Sequence, residues 1–279
     1  MIDLHQTTFI IPIRIDSADR EFNFRYVIQY LVDNFITNII IKESDKIAKA
    51  FPIIERYDCN PSPYRVPHLI NRHEYNLSSN TKIIYFYEIN GLSEFHRTRL
   101  LNEMLMKVET PVVCNYDIDI LIKPEVYKQA QDKILNEGYD VVYPYYKGLS
   151  QIRLHNEQKA LIAAGRSPFG VGGEKWQSGC GHCQFIRTSA YKEAGMENEA
   201  FISWGAEDSE RMHRFTAMGY KVTWFDSLVY HLEHERSINS GEKNPHFWAN
   251  ENLWQALKLM NGEQLREYYR NMVYFKKYV

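Results

Sequence analysis

No stretch of the 279 residues approaches the run of roughly 18 apolar residues that crosses a bilayer. The opening Met1-Ile2-Asp3-Leu4-His5-Gln6 also lacks the basic segment and apolar stretch of a secretory signal. The expectation is a cytoplasmic protein. Neither sign of charge dominates, with 33 Lys and Arg against 35 Asp and Glu. No face is forced to meet nucleic acid, while a local basic patch would leave room for peripheral association with a membrane surface. Cysteine is scarce: Cys59, Cys114, Cys180 and Cys183 are too few for a disulfide scaffold and fit a reducing compartment. Internal repeats and low-complexity tracts are absent.

Cys180-Gly181-His182-Cys183 has the spacing of a thiol–disulfide motif, in which the first Cys opens a helix that lowers its pKa. Here the pair follows Gly179 and runs into the strand-like Gln184-Phe185-Ile186. Two Cys and one His also fall short of a closed zinc site. A glycine-rich turn with buried thiols is the expected structure.

What is abundant is β-branched and aromatic side chains, including 20 Tyr. Thr8 to Ile13 reads as a buried strand, and Phe22, Tyr26, Val27, Tyr30 and Leu31 recur at helical spacing. Ile39-Ile40-Ile41 marks a central strand leaving through Lys42 and Glu43. Residues 44–80, with four prolines, are expected to be irregular, with a short helix near 45–50. Strand Ile83 to Tyr87, helix Phe95 to Met106, strand Pro111 to Tyr116, helix Pro124 to Asn136 and strand Asp140 to Tyr143 follow. The alternation predicts an α/β domain with a mostly parallel sheet covered by helices. Ligands bind such sheets beyond the carboxyl ends of the strands, where Arg14, Glu43, Asp117 and Asp119 emerge. Residues 147–178, rich in glycine, read as a mobile loop or lid, and 247–259 and 263–276 as terminal helices.

Three constellations carry chemistry. Asp117-Ile118-Asp119 puts two carboxylates at the end of a strand, where both can turn toward one magnesium or manganese ion bridging a diphosphate. Alone, it reads equally as a turn with two solvated acids. His231-Leu232-Glu233-His234 follows a predicted strand, and an imidazole joining the Asp pair would favour a transition metal. Trp204 to Glu210 runs into the helix Glu207 to Met218, whose dipole would lower the pKa of Glu207 and Asp208. One of these acids could accept a proton from an incoming hydroxyl. The bland alternative is a helix start with Glu207–Arg211 and Glu210–Arg214 as surface pairs, and Glu210 fits it.

Taken together, these pieces resemble the GT-A fold glycosyltransferases of families 2 and 7, such as the beta-1,4-galactosyltransferases and bacterial chondroitin-type polymerases. The matches fall in order along the chain. Phe9 to Arg14 resembles the opening strand whose Pro-x-Arg (Pro12, Arg14) contacts uridine, and Phe95-His96-Arg97 the Phe-x-Arg segment that also touches the nucleotide. Asp117 and Asp119 match the Asp-x-Asp, the second being the principal metal ligand. Gly181 and His182 sit where a glycine turn lines the sugar pocket. Trp204-Gly205-Ala206-Glu207-Asp208-Ser209-Glu210 matches the WGxEDxE signature, implying Asp208 as base and Glu207 as sugar ligand, with Trp204 and Gly205 beside them. His234 is the positional match to the late metal ligand, with His231 next to it. Two departures stand out: Ala206 replaces a Gly of the galactosyltransferase pattern, and His231 replaces a Met.

The resemblance implies one GT-A domain over 1–279, with a nucleotide-sugar half (about 1–145, including Glu43), an acceptor half (about 146–246) and terminal helices (about 247–279). It implies Mn2+ or Mg2+, a UDP-sugar donor, a glycan or glycolipid acceptor and inverting transfer. The retaining relatives carry Asn where this chain has Asp208. A metal-dependent phosphoesterase and a non-catalytic carbohydrate-binding homologue are the readings from other classes.

Overall fold

The computed structural model describes residues 1–57, 72–76, 81–92 and 94–278. The chain opens with β1 (Ile2–Ile13), α1 (Ala18–Asn34) and β2 (Phe35–Asp45), then α2 (Phe51–Ile54), β3 (Arg72–Asn76) and β4 (Lys82–Ile89). Next come α3 (Arg97–Leu105), β5 (Val112–Tyr116), β6 (Ile120–Leu121), α4 (Pro124–Glu137) and β7 (Val141–Tyr143). The second half holds β8 (Gln151–Leu154), α5 (Asn156–Ala163), β9 (Glu174–Trp176), β10 (Cys183–Arg187), α6 (Thr188–Glu193) and α7 (Glu207–Ala217). β11 (Val222–Trp224) and β12 (Val229–Leu232) precede three helices, α8 (Phe247–Leu257), α9 (Gly262–Asn271) and α10 (Val273–Tyr278).

The main sheet has the order β11-β7-β10-β5-β1-β2-β4-β3. Only β10 and the edge strand β3 run against the others. Burial on both faces explains the isoleucine run, since Ile39, Ile40 and Ile41 are all within 2% of complete burial. Helix ends follow local chemistry. Ser17 Oγ accepts from the Arg20 amide at the start of α1, and α4 opens on Pro124 and stops at Gly138 in the left-handed region.

A second sheet, β6-β12-β8-β9, stands beside the first. Helix α1 ties the two together: Asn23 Nδ2 donates to the Leu232 carbonyl at 2.7 Å and Tyr30 Oη to the Ile122 carbonyl at 2.6 Å. This second sheet corrects the lid expected over residues 147–178, because that segment supplies β8, α5 and β9. Strands of three or four residues are too short to show a period between glycines, and their pairing with β12 creates them. Strand β3 was likewise not expected. The short helix expected near 45–50 forms instead at α2, and about half of the irregular stretch expected over 44–80 lies outside the described residues.

The terminal helices pack on α7. Glu210 Oε1 lies 2.9 Å from Arg214 Nε, accepts from Tyr269 Oη at 2.6 Å, and is buried with both partners. Arg214 Nη1 also donates to the Ala194 carbonyl at 2.6 Å. The i,i+4 pair expected on the surface is thus a core pair, and Glu210 is scaffolding. Removing one member of such a pair costs about 3–5 kcal/mol because the other charge stays buried. Glu210→Gln should lose stability on that scale in urea denaturation; a loss under about 1 kcal/mol would remove the pair from the scaffold.

Candidate active site

Strand β5 ends at Tyr116, and a turn closed by Ile120 N–H donating to the Asp117 carbonyl at 3.3 Å carries the chain into β6. Strand β6 pairs with β12, setting Ile120 opposite His231, and Leu232 N–H donates to the Asp119 carbonyl at 2.8 Å. Residues about 110 positions apart meet in this way. Asp119 Oδ2 lies 3.0 Å from His234 Nε2 and 3.8 Å from His231 Nε2, and among the described residues these three form the group able to hold a metal ion.

Both imidazoles are turned for that role by what their other nitrogens meet. His231 Nδ1 lies 2.8 Å from Glu233 Oε1, whose carboxylate is gripped by Arg153 at 2.7 and 3.0 Å. His234 Nδ1 lies 2.8 Å from the Glu235 carbonyl. Each Nδ1 faces an acceptor and so carries a proton, while Nε2 is turned toward Asp119, donating to its carboxylate when protonated and free to offer its lone pair to a cation when that proton is lost. Two imidazole nitrogens and one carboxylate suit a borderline cation such as manganese. Burial opposes charge on His231, yet the neighbouring Asp119 and Glu233 carboxylates outweigh it and raise its pKa. A bound cation would meet the same excess of negative charge.

Asp117, which the resemblance sets on the nucleotide side with Asp119 as the principal metal ligand, lies outside this group. Its Oδ1 accepts from Arg97 Nη2 at 2.7 Å. Burial raises the Asp117 pKa, opposed by Arg97 and reinforced by Asp119 and Asp208. The other edge of the same guanidinium faces the second carboxylate pair, with Nη1 3.5 Å from Asp208 Oδ1 and 3.9 Å from Glu207 Oε1. Arg97 therefore links the acid next to the metal-competent group with the Glu207–Asp208 pair.

Asp208 is anchored from below by Arg211, an ion pair the sequence did not suggest. Arg211 is completely buried, and its fork also donates to Glu197 Oε1 at 2.6 Å and Gln184 Oε1 at 3.0 Å. Burial works against ionisation of Asp208, but Arg211 and Arg97 prevail and hold its pKa below the ordinary value. Glu207 behaves oppositely: burial and the adjacent Asp208 push its pKa up to about 7 against Arg97. The expected joint lowering by the helix dipole is therefore corrected, since burial and neighbouring charge exceed a surface-scale dipole effect. The expected Glu207–Arg211 surface pair is also replaced by the buried contacts of Arg211.

Strand β10 runs antiparallel to β5, with Cys183 opposite Tyr116, and so delivers Gly181 and His182 to the cleft. A Cβ on Gly181 would sit 2.7 Å from Asp208 Oδ2, so only glycine lets the carboxylate lie there. His182 takes the Asp117 amide on its carbonyl at 3.0 Å, and its ring centroid is 6.2 Å from that of His231. Burial lowers its pKa to about 4, so the ring is neutral. The thiols of the CGHC turn are buried as expected, with Cys183 Sγ 3.5 Å from Cys114 Sγ, both unoxidised.

The remaining expected residues divide. Gly205 N–H donates to Glu207 Oε2 at 2.9 Å, and Trp204 stands at the rim, 47% exposed. Arg14 lies over the Phe95 ring at 5.4 Å and donates to the carbonyls of Ser44 and Glu94, both at 2.9 Å, while Pro12 is buried within β1. Glu43 leaves β2 at the expected end but is fully buried. Its carboxylate accepts from the Lys49 amide at 2.8 Å, the Ala50 amide at 3.1 Å and Tyr85 Oη. The expected nucleotide contact from Glu43 is corrected: three intramolecular donors and complete burial make it a loop closer.

Asn244 and Asn250 were also unforeseen. Their Nδ2 atoms donate to the Ile202 carbonyl at 3.1 and 2.9 Å and to the Trp204 carbonyl at 2.6 and 3.3 Å. No local pattern marks them, because their partners lie 40 or more positions away.

No protein-family model matches the chain, and no curated protein matches its sequence. Solved structures do. The mannosyltransferase PcManGT from Pyrobaculum calidifontis, in complex with GDP-Man and Mn2+, superposes with a TM-score of 0.54 at 12% identity, over 97% of this chain and 69% of that chain. S. aureus TarS 1-349 in complex with UDP-GlcNAc gives a TM-score of 0.54 at 14% identity, over 95% and 71%. The chain has the GT-A glycosyltransferase fold. No described helix is long and apolar enough to cross a membrane.

The Glu207 carboxyl has a stability signature. Its folded pKa of about 7 lies above the ordinary glutamate value of 4.5, so the folded protein holds this proton more tightly than the unfolded chain does. That contribution is present in full below the unfolded value and is lost as pH rises through the folded one. In chelator and without substrate, the wild-type melting temperature should fall relative to that of Glu207→Gln between about pH 5 and about pH 8. A constant difference across that window would show an ordinary carboxyl.

Proposed function

We propose that this protein is a metal-dependent inverting glycosyltransferase that moves a hexose or hexosamine from a UDP-sugar to a hydroxyl of a glycan acceptor. The observation that carries the reading is the run of side-chain contacts in which Arg97 bridges Asp117, two residues from Asp119 of the Asp119–His231–His234 group, to Asp208. Both superposed enzymes were solved with a nucleotide-sugar, one also with Mn2+, which supports a nucleotide-sugar donor here.

Asp119, His234 and His231 would hold the cation. Once bound, it supplies Lewis-acid neutralisation of a departing diphosphate. Arg14 and Phe95 flank the nucleotide side, and Arg97 adds positive charge between the two halves of the cleft. Asp208, ionised at neutral pH, takes the proton of the acceptor hydroxyl at its carboxylate. Its low pKa makes it a weak base, so its effect depends on position, which Arg211 and Gly181 define. Glu207, partly protonated near neutrality, can both donate to and accept from sugar hydroxyls, with Gly205 and His182 lining the same side.

A phosphoesterase of the two-metal kind is disfavoured because Asp117 is committed to Arg97, leaving one three-residue group among the described residues. Asp208 rather than Asn favours inversion.

A panel of UDP-sugars assayed for UDP release, with and without manganese, tests the reading and names the donor. Asp208→Asn should abolish turnover while leaving UDP and manganese binding intact; normal turnover would remove it as base. Asp119→Ala should abolish metal-dependent UDP binding in calorimetry, and unaltered binding would put the metal elsewhere. Gly181→Ala, which displaces the Asp208 carboxylate, should lower kcat on the order of 100-fold with little change in donor KM. An unchanged kcat would show that the carboxylate's position is not limiting.

A further inference from the structure

The rim of the cleft carries aromatic surface that packing does not explain. Trp204 is 47% exposed and Trp248, the second residue of α8, is 70% exposed. Between them lies Phe247, its ring 6.1 Å from Trp204 and within 9° of parallel, and 5.1 Å from Trp248. Phe247 Cδ2 also approaches Gly205 to 3.7 Å from where a Cβ would stand, which places the ring against the segment leading into Glu207 and Asp208.

These rings are held by backbone rather than by burial. The Asn244 and Asn250 amides bind the carbonyls of Ile202 and Trp204, and Asn250 Oδ1 accepts from the Ile202 amide at 3.2 Å. Ser203 Oγ, in turn, accepts from the Phe95 amide at 3.2 Å. The segment so gripped is strained: Ser203 and Ala206 are non-glycine residues at φ 59° and 63°, and Gly205 lies at 136°. Such conformations persist only where surrounding contacts over-determine them. A rigid, strained segment that keeps aromatic rings in water at fixed places relative to a carboxylate pair is built to meet a ligand.

We infer that Trp204, Phe247 and Trp248 form an acceptor platform for a saccharide of at least two units, with Trp248 setting the preference for the unit beyond the reacting sugar. This rests on the glycosyltransferase reading above. Sugar rings present C–H groups on a face and hydroxyls around the edge, a match for an exposed aromatic face with polar neighbours. Glu94 and His246, 3.5 Å apart and each about a third exposed, provide such neighbours: His246 immediately precedes Phe247, and Glu94 immediately precedes Phe95. The platform is continuous with Gly205 and so with Glu207, which commits it to the acceptor side.

The test titrates the full chain, with UDP and Mn2+ present, with cellobiose, chitobiose, lactose, maltose and xylobiose, using calorimetry. At least one disaccharide should bind the wild type. Trp248→Ala should weaken that binding roughly tenfold or more, as removal of an aromatic anchor does, and Trp248→Phe should recover most of it. UDP binding with Mn2+ should be the same in all three proteins, which shows that the fold is intact. Equal disaccharide binding by wild type and Trp248→Ala, or none by a wild type that binds UDP, would overturn the platform. Loss concerns the wider reading instead if the wild type fails to bind UDP with Mn2+: disaccharide binding that still depends on Trp248 would then uphold the platform without the transferase.

Discussion

Asp117, Asp119, Glu207 and Asp208 meet beyond the carboxyl end of one sheet, and like charges there would repel strongly in a partly buried cleft. A pair of unit charges 4 Å apart is worth about 4 kcal/mol at the effective dielectric near a protein surface. The arrangement exists because guanidinium groups are interleaved with the acids. Arg97 spans Asp117 and Asp208 from α3, and Arg211 rises beneath Asp208 from within α7. The remaining imbalance, at Asp119, is met by two imidazoles. Removing any one cation would leave its partner acid in an uncompensated field.

Arg211 shows how far this dependence reaches. Its charge is buried, so it must itself be paired, and Glu197 does this from the segment between α6 and α7. Tyr191 of α6 binds Glu197 and also Asn115 of β5, which closes a path from the strand that delivers Asp117 back to Asp208. The two sides of the site therefore share a buried polar foundation as well as the largely buried bridge of Arg97. A network of this kind is satisfied or costly as a whole.

The C-terminal helices belong to the same construction. Helix α9 secures α7 through Tyr269, and Tyr274 of α10 donates its Oη to the Gly195 carbonyl, just after α6, at 3.0 Å. The side-chain amides of Asn244 and Asn250 hold the strained backbone before α7. The β8–β9 segment, expected to close over a donor, braces the metal-competent group instead: Arg153 of β8 lies opposite His231 and grips Glu233, which orients the imidazole.

Much of the α/β framework was legible in the sequence because it depends on periodicities within a few residues. Ile39-Ile40-Ile41 can only be a strand covered on both faces, Pro124 and Gly138 bracket α4, and the glycine turn before Gln184 leaves the CGHC thiols buried. The residue types of the three acidic and histidine constellations were visible for the same reason. The resemblance grouped Asp119 with His234 and His231, but the pairing that brings them together was not legible. That Asp119 meets both histidines while Asp117 turns to Arg97 follows from the β6–β12 pairing, and that Glu43 closes a loop follows from the burial of its carboxylate. Adjacent acids Glu207 and Asp208, alike in sequence, titrate in opposite directions because one faces burial and a like charge and the other two guanidiniums. Sequence by itself determined which groups arrive at the ends of which strands. Only the tertiary structure decided which charge each one faces, because that depends on neighbours brought together from tens to more than a hundred positions away.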